Sequence, residues 1–223
     1  MSKTTALPIV VLISGSGTNL QAIIDQIQQG NINAEIKAVI SNRPDVKGLQ
    51  RARDAGIAAE ALDHTQFASR KNFDQALQLR IDHYQPKLVV LAGFMRILTD
   101  DFVNHYSDRM INIHPSLLPD FRGLNTHQRA LDAGRTQHGV SVHIVTNELD
   151  SGPVVLQAII DVNSDDTADS LAARIHQQEH IIYPMVIGWF AAGRLSCKNN
   201  QAMLDNKPLH TAAKWINQQL RID

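Results

Sequence analysis

Cysteine is nearly missing from this chain, and so are any long apolar run and any excess of charge of one sign. A single cysteine, Cys197, in 223 residues excludes an internal disulfide and a cysteine-based metal cage, and it fits a reducing, cytoplasmic setting. Lys and Arg number 21 against 22 Asp and Glu, a net charge of -1, so nothing marks a nucleic-acid face or an anionic membrane surface. The partners expected are therefore small-molecule substrates, with no nucleic acid and no membrane, and the chain is expected as a monomer or weak homodimer. The apolar run Ile9–Ile13 is too short for a signal-peptide core. Ile181–Ala192 is broken by Pro184 and Gly188, so no stretch is long enough to cross a bilayer. With 43% hydrophobic and 19% charged residues, no composition break and no internal repeat, one globular domain over 1–223 is expected, with a core over about 8–193 and a tail over 194–223.

Hydrophobic patterning gives the order of elements. Ile9–Ile13 is β-branched and wholly apolar and stops at Ser14-Gly15-Ser16-Gly17, as a central parallel strand entering a Gly-rich turn should. Leu20, Ile23, Ile24 and Ile27 then form one helical stripe, with Thr18 or Asn19 as N-cap and Gly30 as stop. Further strands are read over 35–41, 57–62, 88–93, 110–114, 140–145 and 154–162. Helices are read over 48–55, 67–84, 99–106, 126–133 and 167–192, the last kinked at Pro184. The tail reads as a short hairpin and a closing helix around Trp215. Alternation of strand and helix predicts an α/β fold with one doubly wound, mostly parallel, Rossmann-like sheet, followed by an antiparallel excursion.

Two polar side chains interrupt this pattern where it should be most apolar. In Met110-Ile111-Asn112-Ile113-His114-Pro115, Ile111 and Ile113 share one strand face while Asn112 and His114 share the other. Pro115 cannot donate to a ladder and keeps His114 extended, so the strand ends there with the imidazole at its carboxyl edge. That edge is where open α/β sheets bind ligands. The Asn and His, taken alone, would be satisfied by loop backbone.

Gly15-Ser16-Gly17-Thr18-Asn19-Leu20 fails as a dinucleotide fingerprint, because Leu20 replaces the third glycine and the next strand ends in Ser41-Asn42 with no acidic residue for a ribose hydroxyl. The remaining physics is that of backbone N–H groups at a helix N-terminus, which suits a small phosphate. By itself the turn serves equally as an anion cradle or as a tight corner.

The run Asn112-Ile113-His114-Pro115-Ser116-Leu117-Leu118-Pro119, with Gly123, Gly139, Ser141, Val142, His143, Asp150-Ser151-Gly152-Pro153 and Gln157, resembles the 10-formyltetrahydrofolate-dependent formyltransferases. The likeness extends to Ser14–Ile23, Ala92–Leu98 and Gln178–Pro184, where it is closest to the purine-pathway branch of that family, and it covers about nine-tenths of the chain. It implies formyl transfer from 10-formyltetrahydrofolate, a co-substrate, to the amine of glycinamide ribonucleotide in purine synthesis, with no metal. It also implies Asn112, His114 and Asp150 as catalytic residues. Gly17, Thr18, Asn19, His176 and Glu179 would then contact the ribonucleotide. The folate would meet Arg70, Met95, Arg96, Ile97, Leu98 and Asn112, and the loop Thr146, Asn147, Glu148, Leu149 and Asp150. Thr18 stands where a serine is common, and His176 where glutamine is expected.

These residue types suit that chemistry. Transfer to an amine passes through a tetrahedral intermediate with an oxyanion, and the departing nitrogen needs a proton. An imidazolium at His114 can stabilise the first and supply the second, the Asn112 amide is a neutral donor to the oxyanion, and a carboxylate at Asp150 would favour the charged ring. His138 and His143 lie five apart on a strand, hence on opposite faces and without a carboxylate, which argues against a metal. A serine nucleophile elbow is absent because Ser14 occupies the first glycine position around Ser16. Relatives acting on methionyl-tRNA, or hydrolysing formyltetrahydrofolate, would be expected to need additional chain. A nucleotide-binding module without catalysis would need no Asn-x-His with a distant Asp.

Overall fold

The computed structural model describes residues Thr5–Ile222. Its strands are β1 (Leu7–Ile13), β2 (Ala34–Ser41), β3 (Ala59–Ala61), β4 (Leu88–Leu91), β5 (Met110–His114), β6 (Gln137–Ile144), β7 (Val154–Asp161), β8 (Leu195–Lys198), β9 (Gln201–Leu204), β10 (Lys207–Pro208), β11 (Ala213–Ile216) and β12 (Gln219–Arg221). The helices are α1 (Thr18–Gln28), α2 (Lys47–Asp54), α3 (Arg70–His83), α4 (Asp100–His105), α5 (Thr126–Asp132) and α6 (Ala168–Ala191).

Nine strands form one sheet in the order β12-β11-β7-β6-β5-β4-β1-β2-β3, and β8 to β10 form a separate antiparallel sheet. From β3 through β5 every pairing is parallel, and β6 then runs antiparallel between β5 and β7. The chain winds from β1 outward to β3 and returns to β4 on the other side of β1. That reversal opens a crevice at the carboxyl ends of β1 and β4, the general ligand position of such sheets.

Strand alternation sorts the core into two faces. Ile9, Val11 and Ile13 of β1 pack with Leu20, Ile23 and Ile24 of α1 and with Ile175, Ile182 and Val186 of α6. Val10 and Leu12 pack with Phe73, Leu77 and Ile81 of α3 and Phe102 of α4. Two helix starts follow the capping rules: the Ser69 hydroxyl accepts from the Asn72 N–H to open α3, and Thr167 and Ser170 form a reciprocal capping box on α6.

Three expectations need correcting. The N-cap of α1 is Gly17 at φ 70°, not Thr18 or Asn19, and no side chain caps this helix. Helix α3 starts at Arg70 rather than 67, because His64–Gln66 is a short 3-10 turn held by Asp63. Trp215 lies in strand β11, which pairs parallel with β7, and not in a helix. The tail turns are three dipeptides with positive φ at both positions, Asn199-Asn200, Asp205-Asn206 and Asn217-Gln218. Such a pair sets the type I′ geometry that closes a two-residue hairpin.

Candidate active site

Strand β5 delivers the predicted pair as its alternation requires. Ile111 and Ile113 are buried in the α1/α6 face, and Met110, on the Asn112 side, is buried in the other. His114 is 6% exposed. Its Nε2 donates to the Phe121 carbonyl at 3.0 Å, and its Nδ1 faces Asp150 Oδ2 at 3.4 Å. Both ring nitrogens therefore meet acceptors, an arrangement that the charged imidazolium satisfies fully.

Asp150 reaches His114 from a sharply bent loop. Its own φ is 49°, and two residues on, a Cβ at Gly152 would lie 1.9 Å from the Ile144 carbonyl oxygen. Only glycine lets the loop lie flat on the end of β6. The carboxylate is 8% exposed and also accepts from the Gly123 N–H at 3.0 Å. Together, His114 and Asp150 hold two backbone groups of the segment 119–125.

That segment is tied down at its start as well. The Ser141 hydroxyl donates to the Ser116 carbonyl and accepts from the Leu118 N–H. Gln157 donates to the Leu118 carbonyl and to the Ser141 hydroxyl. The Leu118–Pro119 peptide bond is cis.

The glycine turn sits at the carboxyl end of β1. The Gly15 carbonyl accepts from the Gly48 N–H at 3.1 Å, and the Ser16 carbonyl from Arg51 Nε at 2.9 Å. In a trans peptide the N–H points opposite to the C=O, so these two bonds turn the Ser16 and Gly17 N–H groups away from α2. The sequence position of Arg51, within α2, carries no sign of this duty. It also lines a hollow with Thr18, Gln21, Asp25 and His180. Asn19 is 8% exposed and Glu179 5%; they are bonded at 2.7 Å, joining the turn to α6. His176 lies exposed on α6, three residues before Glu179.

The segment after β4 crosses the same edge. The Met95 N–H donates to the Ser14 hydroxyl at 2.7 Å, which fixes this segment against β1. Met95 and Ile97 are 66% and 58% exposed, Leu98 is partly buried, and Arg96 lies 4.8 Å over the Phe73 ring. Arg70 is exposed at the start of α3, three residues before Phe73, and the structure does not join it to Asn112 and His114. In the other loop Glu148 pairs with Arg122 at 2.7 Å, Asn147 bonds Asn104, Thr146 bonds the Glu148 carbonyl, and Leu149 is 51% exposed.

One residue of the site was missed. His143 sits opposite Asn112 in the β5–β6 ladder. Its Nε2 is 3.2 Å from the Asn112 amide nitrogen and 3.7 Å from Asp150 Oδ1. Burial, the largest influence, pulls its pKa down to about 4. The antiparallel register, once known, would have found it. His138 points to the other face, where it meets His127 at 3.2 Å, and burial likewise lowers it to about 4. Among the described residues no three His, Cys, Asp or Glu side chains form a group able to hold a metal ion.

A doubly wound sheet that gathers an amide, an imidazole and a carboxylate at one edge, beside a glycine turn that opens a helix, is the scaffold of an α/β group-transfer enzyme. The chain belongs to the formyl transferase family, whose sequence profile matches residues 7–187. It is 55% identical over 201 residues to phosphoribosylglycinamide formyltransferase of Escherichia coli strain K12, spanning 90% of this chain and 95% of that one. The structure of phosphoribosylglycinamide formyltransferase from Coxiella burnetii, solved with CHES, superposes with a TM-score of 0.88 at 61% identity, covering 92% of this chain and 96% of that one. Glycinamide ribonucleotide transformylase 1 from Symbiobacterium toebii does so at 0.87 and 44% identity, covering 91% and 95%.

Proposed function

We propose that this protein transfers the formyl group of 10-formyltetrahydrofolate to the amine of glycinamide ribonucleotide, a step of purine biosynthesis. The observation that carries this reading is the convergence of Asn112, His114 and Asp150 at one sheet edge, in a chain so similar over its length to enzymes named for that reaction.

The substrate phosphate lies against the N–H groups at Gly17, Thr18 and Asn19, with Glu179 and His176 along α6 facing the rest of the ribonucleotide. The folate lies between Met95–Leu98 and Thr146–Asp150, with Arg70 and Arg96 toward its carboxylates. The amine attacks the formyl carbon, and the carbonyl electrons move onto oxygen. Asn112 Nδ2–H and the His114 imidazolium stabilise that oxyanion. The folate N10 then takes a proton from His114 as its bond to carbon breaks, and the surplus proton of the new ammonium leaves through Asp150. The Phe121 carbonyl now on His114 Nε2 marks where a substrate oxygen takes its place.

Incubation with formyltetrahydrofolate alone, and then with glycinamide ribonucleotide, tests the assignment. Folate should lose its formyl group only when the ribonucleotide is present, with formylated ribonucleotide as product. Equal consumption without any amine would identify a hydrolase and overturn the reading.

A further inference from the structure

We infer that His143 is a positioning residue that decides which end of the Asn112 amide faces the formyl group. The inference rests on the proposed reaction for its kinetic consequence and on hydrogen-bond geometry and burial for its structural part.

His143 is 2% exposed. Its Nδ1 lies 3.0 Å from the Ile144 carbonyl oxygen, and a carbonyl only accepts, so Nδ1 carries a hydrogen. Burial opposes a second proton, although the Ile144 bond and the Asp150 carboxylate favour one, and His114 adds to the opposition. The ring is therefore neutral, with a lone pair on Nε2. Against a lone pair the amide of Asn112 must present its NH₂ group, and the 3.2 Å contact is to that nitrogen. Asn112 has no other side-chain hydrogen bond among the described residues, so this one bond selects the rotamer. Because the amide is planar, fixing one N–H fixes the second, which becomes the donor offered to the cleft.

The opposite tautomer would reverse the choice. A hydrogen on Nε2 would draw the Asn112 carbonyl oxygen, and the amide would turn over and carry its NH₂ to the other end. It would also draw Asp150 Oδ1, now 3.7 Å away, from its place beside His114. The Ile144 carbonyl prevents both by claiming the hydrogen for Nδ1. His143 thus acts through Asn112 and needs no contact with substrate.

Two measurements on the full chain decide the matter. Nitrogen-15 NMR of the wild-type protein at pH 7, with the His143 signals assigned through His143→Gln, should show a neutral ring with hydrogen on Nδ1. A charged ring, or hydrogen on Nε2, overturns the inference whatever the enzyme's activity. In steady-state kinetics His143→Leu should lower kcat by about 10- to 100-fold with both KM values within about twofold, and His143→Gln, which can restore an acceptor, should recover part of the loss. In an Asn112→Ala background the same His143→Leu change should cost less than about twofold. Additive losses would overturn the inference, as would a loss confined to KM. A wild-type protein that fails to formylate glycinamide ribonucleotide would instead overturn the proposed reaction, while the tautomer still decides the role of His143.

Discussion

Asn19 and Glu179 are 160 positions apart in sequence and 2.7 Å apart in space, the amide nitrogen of the first turn of α1 donating to a carboxylate of α6. The bond ties the glycine turn to the longest helix. Both residues are buried, and the Asn19 side-chain oxygen Oδ1 has no partner among the described residues, so the pair is incomplete. Glu179→Ala should strand the Asn19 amide and cost about 1–3 kcal/mol of stability. It should also raise the KM for the ribonucleotide several-fold with little change for folate. Urea unfolding and steady-state kinetics check both, and an unchanged ribonucleotide KM would remove Glu179 from the substrate site.

Gly17 is required twice over. Its φ is 70°, and a Cβ would lie 2.7 Å from the Gly48 Cα, a backbone atom that cannot swing aside. Gly17→Val should therefore separate α1 from α2 and spoil the N–H array, at about 1–3 kcal/mol in stability. Kinetics should show the ribonucleotide KM rising well before folate binding is affected. Equal loss of both would mean that the phosphate lies elsewhere.

Much of the central sheet was legible because buried parallel strands are long apolar runs, and Asn112 and His114 stood out against that background by parity alone. The partner of Asn112 was not legible. His143 sits 31 residues away, on a strand whose reading needed no register, and register is a tertiary fact set by how β6 folds back on β5. The tail misled for another reason: Ala213–Ile216 is too short to show a period, although the pairs Asn199-Asn200 and Asp205-Asn206 are residue types that tolerate positive φ and so announced hairpins.

Two buried histidines make the fold sensitive to acid. His138 and His143 are both held down to about 4, in each case chiefly by burial. Between the ordinary histidine value near 6.5 and about 4, the unfolded chain takes up protons that the folded chain refuses. Stability should be intact above that window and fall as pH drops through it, by up to about 1.4 kcal/mol per pH unit for each imidazole. Urea midpoints from pH 7 to pH 4 should show the slope, and His138→Gln should flatten it. A flat profile in the wild type would mean that both rings protonate in place.

Cys197 should be chemically quiet. Its thiol donates to Asp108 Oδ1 at 3.0 Å. Burial first, and then that carboxylate, push its pKa up to about 12. With so little thiolate at pH 8, reaction with a thiol reagent should run roughly a thousandfold slower than in the unfolded chain. Asp108→Asn removes the second influence and should speed the native reaction, whereas equal rates in the two proteins would leave burial as the whole cause.

Asp150 has two separable duties. One oxygen faces both His114 and the Gly123 N–H, so Asp150→Ala should at once deprive the imidazole of its carboxylate and release one anchor of the segment 119–125. Hydrogen exchange should report the second effect as faster exchange at Gly123. Kinetics should report the first as a fall in kcat of about 100-fold or more, since the carboxylate facing the imidazole is lost at the proposed reacting centre. Asp150→Asn tells the two apart, because its amide oxygen can still accept from Gly123 but carries no charge. If the Asn variant protects Gly123 and remains slow, the charge beside His114 carries the rate. If it protects Gly123 and recovers most of kcat, Asp150 serves the reaction by holding the segment in place, and the proton from the attacking amine must leave by another route.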